Sequence, residues 1–510
     1  MSSTCLAAVL AIASAGPAAP DLGVWVEPTA NKVFQDSPPG AVREIDLAAA
    51  RGEWESAQVV LRAAGPATVR VEVGELKGGE GGESLPAGAV QIRRVAYIPV
   101  PYAGKAWPDP LIPVDAGAPI ALPANENVPL LVTVRVHRDA RPGLYRGEVR
   151  ISGGSALVVV PVALRVWPFE IPVRPSVQTA FGLSMEYAWK FEGVAPGTPE
   201  ARAMHERYWR MLVDHRISPY EIPVDILDPD AGRFLDDPGL TSFLIPYRED
   251  SAWLKARIDR CREKGWLARA YVYPWDEPVT AEQYAKLKRG VERVRAAGSG
   301  LRIVSPFYRD AENGRSAYDA LDGSVDIWCA VSAYFKPDRM EEKRKAGGQV
   351  WWYVCCGPGS PYANLHLTMD GVDHRVLPWQ MVRYRIEGFL YWSTTYWNPA
   401  FLKSPWTDMV TVPDINKQLS GDGSLLYPGR LPSGERVAEG PVASLRLVDL
   451  RDGFEDLEYL VLLEKAEGRP ASEAMAVRIT QDLQHFSKDP ADYEKARREI
   501  ASRLSGTGGK

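Results

Sequence analysis

The sequence predicts a multidomain chain in which an N-terminal antiparallel β-sandwich precedes a (β/α)8 barrel of the TIM type and a C-terminal helical tail. Its 510 residues exceed a single domain at roughly 100 to 200 residues each. The first third reads with period two and short turns, as antiparallel sheets do. Beyond it, eight strand-like runs alternate with amphipathic stretches, the signature of a closed βα barrel rather than an open doubly wound sheet.

Residues 1–20, MSSTCLAAVLAIASAGPAAP, carry an apolar stretch from Cys5 to Ala15 that is too short to span a bilayer. Small residues and prolines follow it. The segment has the form of a signal peptide with an exit at Ala13-Ser14-Ala15, although its positive n-region is missing, the first basic residue being Lys32. Export to the periplasm or the extracellular space is the expectation. No later run is long and apolar enough for a membrane span.

Residues 21–168 hold the sandwich. VWVEPT, WESAQVVLRA, TVRVEV, VQIRRVAYIPV, PLLVTVRVHR, LYRGEVRIS and ALVVVPVALRVW supply its strands, with turns such as KGGEGGES and ARPGLYRG between them. Trp167 to Pro175 then places three prolines in nine positions, which bars regular helix and interrupts sheet pairing. The domain boundary falls there. The barrel is assigned to 176–468, its strands being VQTAFGL, ISPYEIPV, ARAYVY, LRIVSPF, VDIWCAVSA, VWWYVCCG, GFLYWSTT and GSLLY, the last leading into VASLRLVDLRDGFEDLEYLVLLEKA. Residues 469–510 read as one or two outer helices ending in a disordered SGTGGK.

Composition narrows the function. There are 60 basic residues against 65 acidic, a formal charge of -5, and no Lys/Arg block of the kind that tracks phosphates, so nucleic acid is not the expected partner. The five cysteines and six histidines have no zinc-ligand spacing and no HExxH, and no GxGxxG or P-loop follows a strand. Neither a metal nor a cofactor is expected. Cys355 and Cys356 read as small buried hydrophobes, since a vicinal disulfide is strained. The 16 tryptophans, about twice or more the usual share, direct attention to flat apolar surfaces.

In a barrel of this type the reactive groups lie at the C-terminal ends of the strands. ARAYVYPWDEPVTAEQ, read as the end of the third strand, places Asp276 and Glu277 at that rim, flanked by Trp275 and Pro278. Aspartate is a favoured N-cap, but Thr280 with Gln283 already makes a capping box, which leaves the acids without that task. Consecutive side chains of a strand face opposite ways, so both acids can face one pocket only if the chain leaves strand geometry after Pro274. Nor can neighbours easily stand apart by the roughly 6.5 to 9.5 Å that an inverting glycosidase needs for its water. The other rim candidates are mostly aromatic: Tyr334, then Trp351, Trp352 and Tyr353 on one strand, then Trp392, Tyr396 and Trp397; Trp351 and Trp352 must point opposite ways, and Trp352 is the one preferred. Flat aromatic faces suit the C–H faces of sugars. About half of such residues would instead pack the core, and Asp310, Asp326 and Asp370 fit turns or caps better than catalysis.

Three stretches in order, YVYPWDEP, then VWWYVCCG followed by EGFLYWSTTYW, then GDGSLLYPG followed by GPVASLRLVDLRDGFEDLEYL, resemble glycoside hydrolase family 123 and the wider group catalogued as domain of unknown function 4091. EIDLAAARGEWESAQVVLRA is similar to the sandwich that precedes the barrel in that group. The resemblance implies a retaining β-N-acetylgalactosaminidase using substrate assistance, in which the 2-acetamido oxygen attacks C1 and forms an oxazoline-type intermediate. It implies Glu277 as general acid and then base, and Asp276 as the group that orients and stabilises the acetamido N–H. No protein nucleophile is then required, an exception to the two-carboxylate scheme. The partner would be a glycan or glycoconjugate. Two further readings stand beside this one: a glycosidase of other sugar specificity with a separate carboxylate nucleophile, and a non-catalytic carbohydrate-binding or scaffold protein.

Overall fold

The computed structural model describes residues 22–78, 82–154, 156–409 and 419–507, so the signal-peptide segment and the final Gly-Gly-Lys lie outside the described residues. The N-terminal part is two facing sheets. One orders the strands Leu22–Pro28, Trp54–Ala63, Asn127–Arg135, Val90–Val100 and Lys105–Pro113, all antiparallel. The other orders Ile45–Arg51, Ala156–Glu170, Gly143–Gly153, Ala67–Val73 and Pro119–Leu122, antiparallel except that Ile45–Arg51 runs parallel to its neighbour. Alternate residues of both sheets, such as Val59, Leu61, Leu130 and Val132 against Val69, Val71, Val149 and Leu164, share one apolar core.

Two of these strands escape a sequence reading for physical reasons. Ile45–Arg51 reads IDLAAAR, with three alanines where β-branched residues would be expected. Lys105–Pro113 carries three prolines and is tolerated because it lies at a sheet edge. At the boundary the strand continues past Pro168 to Glu170, and its pairing with Ile45–Arg51 shifts register between Val166 and Glu170, as a residue without N–H requires.

Beyond Pro175 the strands are parallel. Gln178–Phe181, Gly388–Tyr391, Gln349–Tyr353 and Ile327–Val331 form a four-stranded sheet in that order, and Phe243–Leu244, Ala270–Val272 and Arg302–Ile303 a three-stranded one. Helices Pro199–Asp214, Ser251–Glu263, Ala281–Ala297, Pro337–Lys345 and Gly371–Tyr384 lie between successive strands. Single bridges, not ladders, join the sheet edges: Phe181 to Pro219 on one side, Val304 to Ile327 and Phe307 to Ala330 on the other. The expectation of eight regular strands is corrected in three places. GSLLY contributes Leu426–Tyr427, which pairs antiparallel with Val442–Ala443 outside the parallel sheets. Phe243–Leu244, two residues long, precedes ARAYVY, which therefore follows one more parallel segment than expected. ISPYEIPV makes only the bridge at Pro219 and hydrogen bonds around it, since Pro219 and Pro223 remove ladder donors.

Side chains of these strands alternate between two cores. Ala180, Tyr271, Ile327, Cys329, Trp351 and Leu390 pack together inside, while Phe181, Val272, Trp328, Trp352 and Phe389 pack outward against the helices. Trp351 fits inside because Gly388 has no side chain, a Cβ there falling 2.3 Å from the indole. At the opposite end from the acid pair, Arg302 donates to both Gln178 and Gln349, each the first residue of its strand, and so ties the two sheets together. The long helix Leu445–Glu467 fastens the two halves of the chain: Arg446 pairs with Asp109 of the sandwich at 2.9 Å, both fully buried. Helices Arg469–Ile479 and Pro490–Thr507 follow, the latter including Ser505, Gly506 and Thr507 of the tail that was expected to be disordered.

Candidate active site

The site is built from the strand Ala270–Val272. Its inward register runs from Tyr271 to Tyr273, two residues on, and Pro274 then follows the end of the ladder. The chain leaves strand geometry, and Glu277 takes φ 41°, the left-handed region. A non-glycine residue there costs on the order of 1–3 kcal/mol. The next helix is capped without the acids: Thr280 Oγ1 accepts from the Gln283 N–H at 3.2 Å, and Gln283 Oε1 accepts from the N–H groups of Thr280 at 2.9 Å and Val279 at 2.7 Å.

Each carboxylate is held by its own tyrosine. Tyr273 O–H donates to Asp276 Oδ1, and Tyr353 O–H donates to Glu277 Oε1. Tyr353 ends the strand Gln349–Tyr353 two residues after the inward Trp351, so the same parity carries it to the pair. Burial pushes Glu277 above the ordinary carboxyl range; the Tyr353 bond opposes this and the Asp276 charge adds to it. Burial also raises Asp276, against the bond from Tyr273. Aspartic acid is the intrinsically stronger acid of the two. Both carboxyls are thus held above the ordinary range, and the Asp276 charge adds to the rise at Glu277.

The aromatic candidates divide. Tyr334 lies at the rim beyond Ile327–Val331 and touches both the inner and the outer core, its O–H donating to Asp310 and its ring stacked on Tyr318 at 5.8 Å. Trp392 and Tyr396, half-buried beyond Gly388–Tyr391, meet with ring centroids 4.7 Å apart. Trp275 turns its ring toward the outer core, where Lys286 Nζ stands 5.3 Å from it. Two candidates are corrected. Trp352 is fully buried in the outer layer against Phe335 and Phe389, and Trp351 holds the inner position. Trp397 is fully buried between Phe191 and Tyr208. Cys355 and Cys356 are half-buried rather than buried, their Sγ atoms 3.7 Å apart. Asp326 accepts from the Ile303 N–H at 2.9 Å, Asp370 caps the helix Gly371–Tyr384, and Asp310 accepts from the Ala317 N–H at 3.3 Å.

Two polar residues near the rim, Tyr273 and Asp422, were not singled out from the sequence, and Tyr353 was read there only as one of the rim aromatics. Tyr273 and Tyr353 each stand two residues beyond an inward aromatic, a period-two signal that becomes useful only once the inward parity is known. Asp422, in GDGSLLYPG, is fully buried and accepts from Tyr391 O–H at 3.2 Å and Trp392 Nε1–H at 3.1 Å, which fixes the Trp392 ring. Burial raises its pKa, and His366 opposes that.

Residues 247–463, which include both acids and both of their tyrosines, match the family described as glycoside hydrolase 123, catalytic domain. Among solved structures, a family 123 glycoside hydrolase from Clostridium perfringens is similar over 95% of this chain and 97% of its own, with 14% identity and a TM-score of 0.69. That likeness extends to the sandwich and to the first parallel strands. A family 2 beta-galacturonidase from Eisenbergiella tayi, at 12% identity over 85% of this chain and 72% of its own, reaches a TM-score of only 0.31, and nothing rests on it. No curated protein matches the chain. Through the match of residues 247–463 to the glycoside hydrolase 123 catalytic domain, the chain is a glycoside hydrolase.

Proposed function

We propose that this hydrolase removes β-linked N-acetylgalactosamine, or a related 2-acetamido sugar, with retention of configuration by substrate-assisted catalysis. The observation that carries the reading is the consecutive pair Asp276 and Glu277 on one turn, each with a separate tyrosine donor. The setting is an eight-segment (β/α)8 barrel, in which the irregular stretch around Pro219 serves as the additional segment; the bridges at Pro219, Val304 and Phe307 support it. Glu277 protonates the glycosidic oxygen as the acetamido oxygen attacks C1 and the C1–O bond breaks. The oxazoline-type intermediate is then opened by a water that gives its proton back to Glu277. Asp276 accepts from the acetamido N–H and supports the positive charge that develops on that group. Tyr334, Trp392 and Tyr396 offer the surfaces for the sugar. The Clostridium perfringens structure was described for glycolipid glycan hydrolysis, which makes a glycolipid glycan the first natural substrate to try. Export, expected from residues 1–20, belongs to the same proposal.

A panel of nitrophenyl glycosides tests this reading. Turnover of 2-acetamido glycosides with inhibition by thiazoline mimics is the expected result. Comparable turnover of 2-hydroxy galactosides without thiazoline inhibition would point to a separate carboxylate nucleophile and overturn it.

A further inference from the structure

Away from the acid pair, a cavity of about 690 Å3 opens between the sandwich and the helix Pro199–Asp214, lined among others by Trp54, Arg93, Arg207, Trp209, His215 and Arg451. Its charge is unevenly compensated. Arg210 is paired with Asp237 at 2.7 Å and Asp214 at 3.7 Å, Arg233 with Glu206 at 3.5 Å, and Arg451 with Asp452 at 2.7 Å. Arg93 and Arg207 have no carboxylate within ion-pair distance among the described residues; Arg93 donates only to Gln91 Oε1, at 2.5 Å. The one other acid of the lining, Glu439, is exposed.

Two further observations mark the cavity as positive and short of an acceptor. Burial, with Arg451 adding to it, pushes the Arg93 guanidinium down to about 10, and burial with Arg451 and Arg93 pushes His215 down to about 3, which keeps it neutral. The indole N–H of Trp209, a residue 1% exposed, has no acceptor among the described residues. A desolvated cation without a carboxylate partner and a buried N–H without an acceptor both cost free energy that an anion recovers through charge-assisted hydrogen bonds.

We propose that this cleft binds an oxyanion, the sulfate or carboxylate of an acidic glycan or the free ion, through Arg93, Arg207 and the Trp209 N–H. The full chain should be titrated calorimetrically with inorganic sulfate, with a monosulfated N-acetylhexosamine disaccharide, and with its unsulfated parent. At least one sulfate-bearing probe is expected to bind, and Arg207→Ala or Arg93→Gln should weaken that binding about tenfold or more. Turnover of a nitrophenyl glycoside should stay unchanged in both variants. Tighter binding of the sulfated disaccharide than of sulfate assigns the site to a glycan, and equal binding assigns it to the free ion. Arg207 is exposed on its helix, so its substitution keeps the test valid where Arg93→Gln misfolds. Absence of binding by both sulfate-bearing probes, or binding that survives both substitutions, overturns the proposal.

Discussion

Replacing Tyr353 by phenylalanine removes the hydrogen bond that Glu277 Oε1 accepts and leaves the rest of the inward ring in place. A bond to an ionised acceptor contributes about 1.5–3 kcal/mol, and one pKa unit corresponds to about 1.36 kcal/mol. Complete loss would thus raise Glu277 by about one to two units. Glu277 is only half-buried, so water replaces part of the bond and about one unit is the expected shift. The sign follows from the proposed role: a general acid carries its proton, the bond favours the charged form of Glu277, and losing the bond extends the protonated form to higher pH. The basic limb of kcat/KM therefore moves up. Tyr273→Phe acts on Asp276, ionised in the proposed mechanism, so there the acid limb is expected to move up instead. The pair interacts, and the limbs report the pair, which is why the two variants have to be compared. The assay is kcat/KM for an aryl 2-acetamido glycoside across the pH range in wild type and both variants. A basic limb that stays or falls in Tyr353→Phe, or one limb moved by both variants, would refute the reasoning.

Glu277→Gln should lower turnover roughly 100- to 10,000-fold for a poor leaving group and much less for an activated aryl glycoside; equal losses for both would reject its role as the acid. Asp276→Asn, which keeps the shape and removes the charge, should slow both substrates alike, and full activity would remove it from the mechanism. Gly388→Ala forces a Cβ to 2.3 Å from the Trp351 indole and should destabilise the chain by about 1–3 kcal/mol in urea unfolding; an unchanged midpoint would place Trp351 elsewhere. Asp109→Ala leaves Arg446 buried without its partner and should cost about 3–5 kcal/mol by the same measurement, whereas a cost under 1 kcal/mol would mean the pair does not fasten the two halves.

What the sequence could disclose follows from how many faces of each strand meet water. In the sandwich, TVRVEV has one wet face, and its alternation names the inward residues directly. VWWYV is buried on both faces, so nothing in it distinguishes Trp351 from Trp352, and the choice between them failed. GSLLY reads like any short buried strand, yet its ladder partner is Val442–Ala443, and a run of that length carries no mark of direction. Phe243–Leu244 is too short to establish a period at all. The acid pair was singled out for a different reason: the capping box explained Thr280 and Gln283 and left Asp276 and Glu277 unexplained. The tyrosine partners were not, because Tyr353, though read as a rim aromatic, is 76 residues from Glu277 and nothing local ties the two together. The backbone at Glu277 supplies an independent argument. A turn that only had to connect strand to helix could place glycine at φ 41° without strain, whereas this one places a long carboxylate there beside a second one. The cost is retained at the one residue whose side chain the turn carries to Tyr353. Glu277→Gly should therefore relieve strain while removing the acid, and a variant more stable than wild type yet devoid of activity on poor leaving groups would tie the strained backbone to the chemistry rather than to the fold.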